Sequence, residues 1–302
     1  MILRLDKENY DLWITYSWSN TNHGICGHTY EVIDYYFHLK KYMRVGILLA
    51  EDIDWETFQK SVTAKYIVGQ DELEELKRNT VFCNRPNLVH ANHILFTDGG
   101  AKSLEKKHIL CHKTFHFACG DKELQDNTNE NVYILQDKRI YRDCLNSIDY
   151  KKKINFERLI KPIKEEKAYL LYGTKNCRNI PDQMYFDLLE KYDGDFICLT
   201  NKENRPTGFD KRFKFPEMPV ENLFEKFSTY IYTPVPRKFD CSPRMIAECH
   251  YFGKEVVYHN IDYWDEDKGL YWRKWDIDHD FESLHLNEND PIVEILGKHI
   301  GL

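Results

Sequence analysis

The sequence contains no apolar run approaching the ~20 residues a membrane-crossing helix needs, so no stretch of it reads as a span. Its nine cysteines include no Cys-x-x-Cys pair, which removes the common zinc and redox spacings. An odd count with no secretory leader is expected of reduced thiols in a cytosol. There is no basic excess either. Against 42 Lys and Arg stand 49 Asp and Glu, a formal net charge of −7. That excludes a broadly basic nucleic-acid coat and leaves room for a local basic groove. Internal repeats and low-complexity tracts are missing. What remains is a chain of 302 residues, comfortable for two domains of about 150 residues each.

Apolar β-rich runs alternate with helical patterns along the whole chain. Asp11 to Trp18, Arg44 to Leu49, Val81 to Cys83, His93 to Thr97, Ile109 to Phe117 and Val132 to Leu135 read as strands. Helices are expected over residues 29–42, 55–67 and 71–77. The charge-rich stretch Asp149 to Lys167 reads as a partly helical connector whose charges form a solvated face. A second module follows, with strands at Ala168 to Tyr172, Phe196 to Thr200 and Arg212 to Phe215, and helices at Pro181 to Lys191 and Val220 to Phe227. A last helix is expected from Asp290 to His299. Alternation in both halves predicts an α/β fold with two doubly wound, Rossmann-like domains. We place them at residues 1–155 and 156–302, the last helix being able to pack back on the first domain.

Residues 228–259 read as one βαβ unit. Ser228 to Val235 is a strand, and Ser242 and Pro243 suit the N-cap and first position of a helix that Gly253 ends. Glu255 to Tyr258 is the next strand. The loop puts backbone N–H groups and a helix N-terminus at the carboxyl end of a strand, where anions bind. Arg237, Lys238 and Arg244 surround that point, so a phosphate or diphosphate is the expected ligand. In the first half the loop Ser19 to His28 carries Asn22, Gly24 and Gly27, where a backbone would approach a ligand closely. It lacks the G-x-G-x-x-G spacing of a dinucleotide site. His108, Cys111, His112, His116 and Cys119 do not read as a metal site, because strand alternation divides them between two faces.

Residues 167–259 resemble the GT-B glycosyltransferases. Retaining members carry an acid, seven residues and then a glutamate on a helix, and Asp240 and Glu248 have that spacing here. Gly253 with Val256 and Val257 matches the element that follows. The resemblance implies two domains facing across a cleft, with a UDP-sugar donor held by the second. It implies that Glu248 grips the ribose hydroxyls and that Asp240 faces the donor sugar. The N–H groups around Ser242 to Arg244, with Lys175 and Arg178, would hold the diphosphate. The uracil would lie against the loop containing Phe215 and Met218. The run from Arg237 to Arg244 is also similar to virus-encoded enzymes that glycosylate modified DNA bases. That implies a 5-hydroxymethylated base in phage DNA as acceptor and the host cytoplasm as location. Neither a cofactor nor a metal is implied.

The leaving diphosphate can be stabilised by cations and a helix dipole without a metal. A GT-A-type enzyme using a metal on Asp-x-Asp is the rival, with matches at Asp193 to Asp195, Asp265 to Asp267 and Asp276 to Asp278. A non-catalytic nucleotide-binding module is another. His23, His28 and Asp98 are the candidates for a general base on the acceptor side. None stands in a motif that marks a base, and the acid-x7-Glu spacing points to retention of the anomeric configuration.

Overall fold

The structure is a computed structural model that describes residues 2–5, 9–15, 27–49, 54–82, 88–97, 109–117, 128–136, 146–172, 182–199, 210–232, 244–259 and 281–302. The chain divides into two compact units. The first comprises Met1–Val62, Val68–Glu157 and Glu282–Leu302, and the second Thr63–Ile67 and Arg158–Phe281. Both are α/β, and every strand pairing in both sheets is parallel.

In the first unit the strands are β1 (Ile2–Arg4), β2 (Leu12–Thr15), β3 (Val45–Leu49), β4 (Thr80–Phe82), β5 (Leu88–Phe96), β6 (Ile109–Phe117), β7 (Val132–Gln136) and β8 (Ser147–Asp149). Helices α1 (Gly27–Leu39), α2 (Trp55–Thr63) and α3 (Gln70–Arg78) lie between the early strands in the chain. The sheet runs β4-β3-β2-β5-β6-β7-β8. β2 and β3 are buried at every position, as expected of parallel strands covered on both faces. Trp13, Leu48, Val89, Ile94 and Phe96 form one core cluster. A Cβ at Gly46 would stand 2.5 Å from the Trp13 ring, so only glycine lets that indole lie flat on β3.

Two short strands escaped the sequence reading. β1 pairs with residues 88–90 of β5 and β2 with residues 94–96, so they share one edge of β5 in tandem. β8 extends the sheet beyond β7. Three residues carry too little pattern to be read as a strand, and pairing decides them.

The first part of the stretch after β8, Tyr150 to Ile160, is not a solvated face, whereas Lys161 to Lys167 is largely exposed. Lys153 Nζ lies 2.6 Å from Asp290 Oδ2, whose side chain is fully buried. Tyr150 donates to Asp290 Oδ1 at 3.0 Å and lies 2.9 Å from the Tyr35 hydroxyl. Asp290 Oδ1 also accepts from the Ile292 N–H, capping α7 (Ile292–Ile300), which follows the short helix α6 (Phe281–Leu284) in the chain. Burial pushes the Tyr35 and Tyr150 hydroxyls well above their ordinary titration range, and Asp290 adds to it. This network fastens the C-terminal segment within the first unit, where Lys113 Nζ also donates to the His299 carbonyl at 2.5 Å. Tyr150→Phe is expected to cost about 1–3 kcal/mol, because Asp290 and Tyr35 both lose a partner in a buried setting. The urea midpoint should fall with the m-value unchanged; an unmoved midpoint would show that the hydroxyl contributes nothing.

In the second unit β9 (Ala168–Tyr172), β10 (Asp195–Leu199), β11 (Phe213–Lys214), β12 (Thr229–Tyr232) and β13 (Glu255–Tyr258) form a sheet of order β11-β10-β9-β12-β13. α4 (Asp182–Lys191) and α5 (Arg244–Tyr251) stand between β9 and β10 and between β12 and β13. Gly253, at φ +66°, closes α5 in the left-handed conformation that glycine adopts without strain.

The helix expected over residues 220–227 is a correction. Only Leu223–Glu225 forms a 3-10 turn, preceded by Asn222 in the left-handed region. Glu225 is drawn out of any longer helix by tertiary bonds. Its carboxylate accepts from Ile163 N–H and its carbonyl from Glu166 N–H.

Candidate functional site

In both sheets the strand order reverses once at the centre, between β2 and β5 and between β9 and β12. In doubly wound folds ligands bind outside the carboxyl ends of strands at such a reversal. In the first unit that point is described in part. Thr97, just past β5, donates its N–H to the Thr15 carbonyl at 2.8 Å. Its hydroxyl donates to the His28 carbonyl at 3.2 Å. The ends of β2 and β5 and the first turn of α1 are thus tied together, with His28 at the junction.

His28 Nδ1 lies 3.0 Å from Glu31 Oε2, one turn along α1. The His28 side chain is 31% exposed and that of Glu31 only 4%, so an accessible imidazole is backed by a buried carboxylate. The other oxygen, Glu31 Oε1, is 2.9 Å from Lys152 Nζ. With a carboxylate as its partner, Nδ1 carries the hydrogen, so that in the neutral ring Nε2 is the basic nitrogen. Gly27 is the first residue of α1, and a Cβ there would meet nothing within 4 Å.

The second unit holds a buried ionic cluster at the start of α5. Arg244 Nε donates to Glu248 Oε1 at 2.6 Å, and Lys65 Nζ to Glu248 Oε2 at 2.7 Å. Arg244 also donates to the Tyr66 hydroxyl. The Glu248 side chain is fully buried and that of Arg244 is 7% exposed. Lys65 and Tyr66 are held in place by the chain beside them. Ile160 N–H donates to the Lys65 carbonyl, Ile67 N–H to the Arg158 carbonyl, and Tyr66 forms an antiparallel bridge with Leu159. Among the described residues, two cations thus meet one carboxylate at the start of the helix that follows β12.

Glu248 and Arg244 are therefore brought together, with each other and with Lys65 as partners. Phe215 packs against the core cluster that includes Leu171, Phe196 and Phe213, while Met218 is 37% exposed. Both follow β11, the third strand of this unit. Asn22, His23, Gly24, Asp98, Lys175, Arg178, Arg237, Lys238, Asp240, Ser242 and Pro243 lie outside the described residues. In the chain they follow β2, β5, β9 and β12, the four strands flanking the two reversals.

Of the Asp-x-Asp matches, Asp193 to Asp195 lies at the amino end of β10, the wrong end of the sheet for a ligand at the reversal; the other two lie outside the described residues. On β6, His116 is buried and stacked on Phe96, Cys111 packs against the core with its thiol pushed up to about 12 by burial, and His112 is exposed. Among the described residues no group of three His, Cys, Asp or Glu side chains could hold a metal, and no helix is long and apolar enough to cross a membrane.

Four residues of these two sites escaped the sequence reading: Glu31, Lys152, Lys65 and Tyr66. The His-x-x-Glu spacing across the start of the expected helix is a usable signal for Glu31. The other three contacts come from distant segments and had none. No protein-family model and no curated protein matches the chain.

Proposed function

We propose that this protein is a glycosyltransferase of GT-B type. It would move a sugar from a UDP-sugar to a hydroxyl acceptor, the first unit serving the acceptor and the second the donor. The observation that carries the reading is His28, an accessible imidazole backed by buried Glu31 at the reversal of strand order in the first sheet. A hydroxyl acceptor needs its proton removed as it attacks, and this pair supplies the base. The cationic cluster of Arg244 and Lys65 and the basic residues that follow β9 and β12 in the chain support the diphosphate side. The reading requires neither a metal nor a prosthetic cofactor. A 5-hydroxymethylated DNA base is the acceptor to test first, on the strength of the resemblance of residues 237–244. Such a base would have to leave the duplex stack to be reached.

The His28–Glu31 pair also favours inversion over the retention that the acid-x7-Glu spacing implies, since retaining transfer needs no such base. The deciding experiment incubates the full chain with labelled UDP-sugars and with unmodified or hydroxymethylated duplex DNA. Label should enter only the hydroxymethylated DNA, with release of UDP and an inverted anomeric centre by NMR. A retained centre would return the stereochemistry to the motif. No UDP release with any donor and acceptor would leave a nucleotide-binding module.

A further inference from the structure

We propose that Lys152 is a positioning residue for the His28 base, holding Glu31 so that the imidazole stays neutral and fixed at neutral pH. The inference rests on the reading of His28 given above. Glu31 divides its two oxygens, Oε2 to His28 Nδ1 at 3.0 Å and Oε1 to Lys152 Nζ at 2.9 Å. All three belong to the first unit. The Lys152 side chain is only 10% exposed, so its ammonium has left water for this contact and is screened little. A carboxylate bound on one oxygen only could rotate away from the imidazole. Bound on both, it fixes the ring as well as itself.

The charge balance gives Lys152 its second effect. In the proposed step the acceptor oxygen bonds to the anomeric carbon as the bond from that carbon to the diphosphate oxygen breaks. The electron pair leaves with UDP, and His28 Nε2 takes the hydroxyl proton. Before the step Lys152, Glu31 and His28 sum to zero charge; after it they sum to +1. A carboxylate alone would stabilise the imidazolium strongly and leave His28 charged and useless as a base near pH 7. A lysine on the same carboxylate offsets much of that stabilisation.

Among the described residues, α1 carries Tyr30, Glu31, Asp34, Tyr35, Tyr36 and His38 besides His28, with Asp34 fully buried, and the stretch after β8 carries Tyr150, Lys151, Lys152 and Lys153. Asp290 comes from ahead of α7. Lys153 and Asp290 bind each other at 2.6 Å and cancel, and burial keeps Tyr35 and Tyr150 neutral. Thr97 brings only a hydroxyl. Lys152 is a cation bound directly to Glu31.

The test reads the His28 ring by NMR against pH in the full chain, with no substrate present, in the parent and in Lys152→Met, Lys152→Arg and Glu31→Gln. Lys152→Met should raise the His28 midpoint by about one pH unit, Lys152→Arg should leave it near the parent, and Glu31→Gln should lower it. A Lys152→Met midpoint within about 0.2 unit of the parent, with an unchanged circular dichroism spectrum, overturns the proposal. So does a Lys152→Arg shift as large as that of Lys152→Met, which also serves if the Met variant does not fold. Once a donor and acceptor are in hand, the acid limb of kcat/KM should move with the NMR midpoint. The expected shifts in a protein that turns over no sugar would leave the Lys152 assignment standing and remove glycosyl transfer alone.

Discussion

His28→Ala is expected to lower kcat for sugar transfer by about 10²- to 10⁴-fold, the usual contribution of a positioned general base. UDP binding, measured by calorimetry, should stay within about twofold of the parent, because the residues proposed to hold the donor belong to the second unit. Glu31→Gln should lose part of the same factor. It keeps the shape of the pair but removes the charge that orients Nδ1–H and stabilises the imidazolium. The two losses should not add, since both act on one proton transfer. Full activity in His28→Ala would take His28 out of the chemistry and return the search for a base to His23 and Asp98.

Glu248→Ala should strongly destabilise the second unit. Glu248 is fully buried and accepts from Arg244 at 2.6 Å and Lys65 at 2.7 Å. Removing it takes from Arg244 and Lys65 the buried carboxylate that they share. Breaking a buried pair by deleting one partner costs about 3–5 kcal/mol. Urea unfolding should show a fall of that size, and Glu248→Gln a smaller one, because the amide still accepts one of the bonds. The ratio of UDP to dUDP affinity then separates two roles in any Glu248 variant that folds. An unchanged ratio keeps Glu248 as the counter-ion that aims Arg244. A narrowed ratio gives it the ribose contact that the acid-x7-Glu resemblance implies.

Both substitutions rest on residues whose type was legible in the chain and whose surroundings were not. His28 and Glu248 could be singled out from the sequence, one beside a glycine loop and the other on a helix after a β-rich run. Their partners could not. Glu248 meets Lys65 across 183 positions and Arg244 meets Tyr66 across 178. Such contacts depend on chain closure and pairing register, which no local period encodes. The run Lys151 to Lys153 shows the same limit from the other side. By composition it is a solvated face, yet Lys152 and Lys153 are the counter-ions of two buried carboxylates. Burial of a lysine becomes tolerable only where a partner waits, and the partner lies on another element.

What the sequence by itself determined is the class of fold and the place of its longer elements. β6, β9 and β13 match the expected strands to the residue, because short runs rich in apolar and aromatic residues are a local signal. The alternation of such runs with helical periods requires parallel sheets, since parallel neighbours need a crossover between them. Only the tertiary structure decided the order of the strands, and with it the reversals between β2 and β5 and between β9 and β12. It also recruited the short strands β1 and β8, broke the helix expected at 220–227, and set His28 against Glu31 with Lys152 behind it. Those outcomes follow from which buried groups find partners once the sheets are paired, a question of contacts between distant segments rather than of any one stretch of chain.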